Sequence, residues 1–120
     1  MHEMALMAGV FEIITAVMAE HPGKKVTRVT MEVGELTHAL PDSLQMCFAA
    51  FARGTVCEGA ELEIIEIPVV LKCQECGWQG RTTGSFVALC PDCQSPRTEI
   101  TAGRELRVSS LEVEDDENRD

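Results

Sequence analysis

Two segments in the first half of the chain show the apolar spacing of amphipathic helices. Between residues 4 and 19 apolar residues recur every three or four positions, which predicts one helix that ends at His21-Pro22-Gly23. A second helix is expected to begin near Pro41 and to end at Gly54. The expected buried faces consist of Leu6, Val10, Ile13, Ile14 and Val17 in the first helix, and Leu44, Cys47, Phe48 and Phe51 in the second.

Three further segments alternate apolar and polar residues, as strands with one buried face do. The first closes at Gly34, the second begins near Glu61, and the third is "ELRVSSLEVE" near the end of the chain. Pro68 predicts a break or an edge position after the second strand. We expect the third strand to return to the sheet of the first domain. The inward positions would be Val29, Met31 and Val33, then Leu62 and Ile64, then Leu106 and Val108.

From Cys73 onwards the composition changes. "CQECGWQGRTTGSFVALCPDCQ" is rich in Cys, Gly and polar residues and has too few apolar side chains to fold around a core. Because a strand follows it, we interpret this stretch as an insertion. The predicted domains are therefore residues 1–70 plus 102–113, an inserted domain at 71–101, and an acidic disordered tail at 114–120.

Charge and composition narrow the class of protein. The 120 residues are 45% hydrophobic and 25% charged, which is typical of a globular protein. Acidic residues outnumber basic ones by 20 to 10, so the formal net charge of −10 argues against binding to nucleic acid or to an anionic membrane. No segment resembles a signal peptide or a membrane span, which predicts a cytoplasmic protein with reduced thiols.

Six cysteines in a reducing compartment indicate metal binding or reactivity rather than disulfides. Two Cys-x-x-Cys pairs, Cys73/Cys76 and Cys90/Cys93, can close a tetrahedral shell around one ion, and sulfur-only ligation favours a structural Zn²⁺ with no open position. A redox pair and an iron–sulfur cluster are the alternatives. Outside the cluster, Cys47 is expected to be buried on the apolar face of the second helix, where it packs as a small hydrophobic residue.

The first three residues form a second candidate metal site. In Met1-His2-Glu3 the terminal amine, the His2 amide nitrogen and the His2 imidazole can close fused rings around one metal. Such nitrogen donors favour square-planar Ni(II) or Cu(II), and Glu3 can add its carboxylate oxygen or its amide nitrogen. Since the amine has a pKa of about 7.7–8, affinity should fall in mild acid. The alternative is that His2 is a solvated terminal residue.

Four motifs together resemble one family. "MHEMAL" stands at the start, "VGEL" covers residues 33–36, "PDSLQMCF" lies in the second predicted helix, and the two Cys-x-x-Cys pairs follow. This combination is similar to the HypA/HybF family, the nickel-insertion accessory proteins of [NiFe]-hydrogenase maturation. The resemblance covers nearly the whole chain except the acidic tail.

The resemblance implies an α+β fold, in which two helices lie on a three-stranded sheet and a four-cysteine zinc-ribbon-like domain is inserted. It implies a metallochaperone rather than an enzyme, with a HypB-type GTPase and the hydrogenase large subunit precursor as partners. Nickel ligands would be Met1, His2 and Glu3, and zinc ligands Cys73, Cys76, Cys90 and Cys93. No histidine follows Cys73, so His38 or Asp42 is the candidate for a further nickel ligand.

Two other hypotheses stay open at the level of the sequence. One is a zinc-ribbon interaction module in which His2 has no role in transport. The other is a small thiol enzyme that uses Cys57 or the Cys-x-x-Cys pairs, which would require a reactive cysteine of low pKa. The sequence also leaves the oligomeric state open, including a homodimer.

Overall fold

A computed structural model describes residues 3–81 and 89–115 of the chain. It confirms the predicted α+β class, with two helices, a short 3₁₀ turn and two small sheets. The elements in chain order are α1 (Glu3–Met18), β1 (Lys24–Gly34), the 3₁₀ turn (Glu35–Thr37), α2 (Pro41–Ala52), β2 (Glu61–Ile67), β3 (Val70–Cys73), β4 (Gln79–Arg81), β5 (Thr98–Ala102) and β6 (Leu106–Asp115).

The first sheet has the strand order β2-β1-β6, with β1 in the centre. Arg28 donates to Glu61 over 2.9 Å and Thr30 donates to Glu63 over 3.2 Å, so the paired positions advance in the same direction along β1 and β2. Parallel neighbours need a crossover connection, and α2 supplies it between these two strands. The break predicted at Pro68 is confirmed, because β2 ends one residue before it.

The last strand, β6, lies on the other side of β1 and runs antiparallel to it. Arg107 at its start bonds to Glu32 near the end of β1, whereas Asp115 at its end pairs with Lys24 at the start of β1. This confirms that the strand after the insertion joins the first sheet. The pairing continues to Asp115, so β6 includes the first two residues of the predicted tail at 114–120, while residues 116–120 lie outside the described residues.

The buried apolar residues outside the second sheet come mainly from the two helices and from β1. In β1, Val29, Met31 and Val33 are buried as predicted. The stripe predicted for α1 is partly wrong, because Ile13 and Val17 are 51% and 41% exposed. The buried residues of α1 are Met7, Val10, Ile14 and Met18. Val10 and Ile14 were predicted correctly, but each residue turns the helix by about 100°, so placing Leu6 rather than Met7 in the stripe shifted one edge of the predicted face.

Smaller differences affect the edges of the predicted core. The buried face of α2 contains Leu44, Cys47 and Phe48 as expected, but Ala52 completes it and Phe51 is only half-buried. Leu106, predicted to point inward from β6, is 36% exposed. These residues lie at the ends of their helix or strand, where the apolar pattern of the sequence constrains burial least.

The second sheet has the antiparallel order β4-β3-β5. Leu71 in its central strand is 1% exposed and lies opposite Gly80 on one side and Ile100 on the other. By contacts the chain forms two compact units, of which the second contains Val33–His38 and Glu66–Leu106. The insertion predicted at 71–101 lies within this second unit, and its residues 82–88 fall outside the described residues.

The "VGEL" segment belongs to the second unit because it is bonded to the chain that leads into and out of the insertion. The Leu36 N–H donates to the Gly103 carbonyl over 2.8 Å, and the Glu35 carboxylate accepts the Val69 N–H over 3.1 Å. A Cβ atom on Gly34 would lie 2.2 Å from the Gly103 oxygen. Glycine at position 34 therefore permits a backbone contact that no other residue allows.

This contact gives a matched pair of glycine substitutions. Gly34→Ala should destabilise the protein by about 1–3 kcal/mol, because the added methyl group collides with backbone that has little room to move. Gly9→Ala, in α1, meets no atom within 4 Å and should instead stabilise by about 0.5–1 kcal/mol. Denaturant unfolding of the two zinc-loaded variants measures both effects. Equal midpoints would contradict the proposed contact.

Candidate metal centre

The first Cys-x-x-Cys pair forms a tight turn at the end of β3. Both the Glu75 and the Cys76 backbone N–H groups donate to the Cys73 sulfur over 3.4 Å. The Gly77 N–H donates to the Cys73 carbonyl over 3.2 Å, and Gly77 adopts a φ of 80°. Glycine suits this left-handed position because it has no Cβ.

The second pair repeats this geometry. The Asp92 and Cys93 N–H groups donate to the Cys90 sulfur over 3.4 Å, and the Gln94 N–H donates to the Cys90 carbonyl over 2.8 Å. Gln94 occupies the position of Gly77 and has a φ of 65°. This left-handed residue was not predicted, since sequence reasoning looks for glycine at such a position.

The two turns bring all four predicted cysteine sulfurs together, within 4.8 Å of one another. The Cys73 and Cys93 sulfurs are 3.6 Å apart, as are those of Cys76 and Cys90. A tetrahedral ion with metal–sulfur bonds of about 2.3 Å requires sulfur–sulfur edges of about 3.8 Å. The arrangement therefore fits one divalent ion held by four thiolates.

Electrostatics explain why this cluster requires a cation. The Cys76 N–H is the main group that lowers the pKa of Cys73, to about 6. The Trp78 N–H acts to lower the pKa of Cys76, but desolvation and the neighbouring thiols outweigh it and raise that pKa to about 12. At Cys93 the Ser95 N–H acts to lower the pKa, but desolvation and the neighbouring thiols again outweigh it, so the pKa of Cys93 is raised. A bound cation is what allows such crowded thiols to ionise together.

The remaining two cysteines do not have the features of catalytic nucleophiles. Cys47 is 9% exposed on the buried face of α2, which confirms its predicted role in packing. Cys57 is fully buried, and desolvation raises the pKa of its thiol. A nucleophilic cysteine instead needs access and a low pKa.

Of the predicted nickel ligands, Met1 and His2 lie outside the described residues, and Glu3 is the first residue of α1. The Glu3 carboxylate accepts a hydrogen bond from the Leu40 backbone N–H over 3.2 Å. Leu40 is the residue immediately before α2. The start of α1 is thereby bonded to the segment that leads into the second helix.

The two candidates for a further nickel ligand lie on either side of Leu40. His38 ends the 3₁₀ turn in a left-handed conformation, with a φ of 58°, and is exposed. Asp42 is exposed in the first turn of α2. The hydrogen bond to Leu40 joins Glu3 to the chain two residues before Asp42, and Asp42 belongs to the same compact unit as Glu3.

Within residues 3–81 and 89–115, neither helix combines the length and the apolar character needed to cross a membrane.

Comparison with protein families gives a match over residues 1–113, to a family described as hydrogenase/urease nickel incorporation metallochaperone HypA. Among curated proteins, the hydrogenase maturation factor HypA of Desulfitobacterium hafniense is 54% identical over 115 residues, which cover 96% of this chain and all of the relative. The factor of Desulfatibacillum aliphaticivorans is 42% identical and aligns over 98% of this chain and 90% of its own length.

Solved structures show the same fold. The solution structure of the Ni metallochaperone HypA from Helicobacter pylori matches with a TM-score of 0.66 and 26% identity, over 93% of this chain and 97% of that one. A second solution structure, of a HypA protein, matches with a TM-score of 0.69 at 26% identity, over 92% and 94% of the two chains.

The thiol pKa values predict how metal binding depends on pH. At pH 7 zinc must displace protons from Cys76 and Cys93, whose pKa values are raised. Below about pH 6, Cys73 also becomes protonated in the metal-free protein, so more protons are released per zinc and the apparent affinity falls. Calorimetry in buffers of different ionisation enthalpy counts these protons. A release that is constant from pH 7 to pH 5 would contradict the assignment.

Proposed function

Because this chain belongs to the HypA family of nickel-incorporation metallochaperones, we propose that it carries Ni(II) at its N-terminus and helps to insert the ion into the large subunit of [NiFe]-hydrogenase. The observation that supports this most directly is the start of the chain. Met1-His2-Glu3 supplies nitrogen donors that suit Ni(II), and Glu3 is held in place by the Leu40 N–H.

The nickel ligands in this proposal are the Met1 amine and the His2 amide and imidazole nitrogens, which leave the fourth position of a square plane to Glu3 or to a further ligand. Glu3 contributes its carboxylate oxygen or its amide nitrogen, and the hydrogen bond from the Leu40 N–H to the carboxylate holds this side chain near the start of α2.

The four-cysteine cluster has a different role in this proposal, as a structural zinc site. Zinc bound by Cys73, Cys76, Cys90 and Cys93 would have no open position for water or substrate. Binding at such sites supplies folding free energy on the order of 10 kcal/mol. The zinc would therefore maintain the second unit and take no part in carrying nickel.

The two sites differ in the way that a carrier requires. A terminal site with few ligands is accessible and can exchange its ion, whereas a closed thiolate cage retains its ion. Release to an acceptor would be promoted by protonation of the terminal amine. The proposal includes a HypB-type GTPase and the hydrogenase large subunit precursor as partners, a cytoplasmic location, no nucleic acid or membrane ligand, and no enzymatic activity of its own.

Blocking the terminal amine tests the nickel site. Adding one residue before Met1 should abolish high-affinity nickel binding, because the amine moves out of the chelate. His2→Ala should do the same by removing the imidazole. Nickel binding is measured by calorimetry, with the zinc content of each variant measured in parallel.

Zinc content should remain at one ion per chain in both variants, which is the internal control for folding. If nickel binds with the same affinity to the extended protein, the terminal site is wrong, and an interaction module without nickel transport becomes the better interpretation.

A second comparison identifies the further nickel ligand. We expect Asp42→Asn to weaken nickel binding about tenfold, because Asp42 is an exposed carboxylate two residues from the Leu40 N–H that holds Glu3. His38→Gln should leave the affinity unchanged. The reverse result, with loss only in His38→Gln, would assign the role to the histidine.

A further inference from the structure

The first helix is unusually apolar for a helix that faces solvent. Its sixteen residues contain only two charged side chains, Glu3 and Glu12, and no Lys or Arg. Met4, Ile13 and Val17 are exposed by 56%, 51% and 41%. A helix that is apolar around most of its circumference is normally buried. Part of the surface of α1 is therefore suited to contact with another molecule.

Other residues of α1 line a shallow, open groove of about 450 Å³ between α1 and α2. One wall is formed by Phe11 and Phe51, whose rings stack with their centroids 5.6 Å apart. Phe11 also contacts Phe48 of the core, with centroids 5.5 Å apart, so this wall is anchored from below. The groove residues are Ala8, Phe11, Glu12, Thr15, Ala16 and Phe51.

The spacing of these residues suits a second helix. Ala8, Glu12 and Ala16 are four positions apart and so form one row along α1, next to the higher row of Phe11 and Thr15. Helices pack when the side-chain ridge of one enters such a groove in the other. The small side chains of Ala8 and Ala16 allow a close approach on either side of Glu12.

Charge determines what kind of helix fits. Glu12 is the only charged residue in the groove, and α1 and α2 contain three carboxylates and no basic residue. We propose that this groove binds an amphipathic helix of a partner protein, with apolar side chains between the phenylalanines and a Lys or Arg next to Glu12. A second copy of the chain is disfavoured, because it would bring together two molecules that each carry a net charge of −10.

This docking surface goes beyond the nickel-carrying role and does not depend on the residues of the nickel site. It would give the chain a place to bind a partner while its N-terminus carries the ion. The two ideas can therefore fail separately.

The test uses two synthetic peptides and the zinc-loaded protein. One peptide is a helix with leucines on one face and lysines on the other, and the second has glutamates in place of the lysines. The lysine peptide should bind at least about tenfold more tightly at moderate salt. In NMR spectra of the labelled protein, the largest shifts should be at residues 8, 11, 12, 15, 16 and 51.

Matched variants separate the groove from general charge attraction. Ala16→Arg fills the groove and adds a positive charge, so it should weaken binding of the lysine peptide about tenfold. Met46→Arg makes the same change in charge at a residue of α2 that is 75% exposed and outside the groove, and it should leave the affinity unchanged. Glu12→Lys should reduce the preference for the lysine peptide more than Met46→Arg does. Circular dichroism checks that each variant is folded.

Three results would overturn the proposal. The first is equal affinity for both peptides, and the second is equal weakening by Ala16→Arg and Met46→Arg. The third is a dimer in sedimentation experiments that Ala16→Arg dissociates, which would show that a second copy occupies the groove. The nickel affinity of the same variants should equal that of the unaltered protein. If the unaltered protein does not bind nickel at all, only the carrier role is refuted and the groove proposal still stands.

Discussion

The mutual repulsion of four crowded thiolates is the constraint on which the second unit depends. The turns at Cys73 and Cys90 direct backbone N–H groups at two sulfurs, yet the pKa of Cys76 is still raised to about 12. Cys76 therefore keeps its proton at neutral pH until a cation displaces it, and a small three-stranded sheet with few buried apolar residues has little besides such an ion to hold it together. In this account a tightly retained ion is a condition of folding.

The proposed nickel site at the start of the chain differs from the cysteine cluster, because it is open and its ion can exchange. Glu3 is the first residue of α1, and in the proposed function an ion held at this end of the chain is gained and lost without unfolding the helix. A hydrogen bond from the Leu40 N–H to the Glu3 carboxylate links the first residue of α1 to the beginning of α2. In the proposed function, the closed site maintains structure and the open site passes on its ion.

Much of the fold could be predicted because its periodicities are strong. The alternation of Val29, Met31 and Val33 identified the central strand, and the doubled Cys-x-x-Cys spacing identified the cluster. The error in α1 arose because an almost wholly apolar helix gives no clear phase to its buried stripe. That same property left the α1–α2 groove unpredicted, since a groove is created by tertiary packing.

The most direct test of the division between the two sites is X-ray absorption at the zinc and nickel edges of one sample loaded with both metals. We predict four sulfur ligands at about 2.3 Å around zinc, and only nitrogen and oxygen ligands around nickel. Sulfur ligands in the nickel spectrum would place the carried ion in the cysteine cluster and contradict the account.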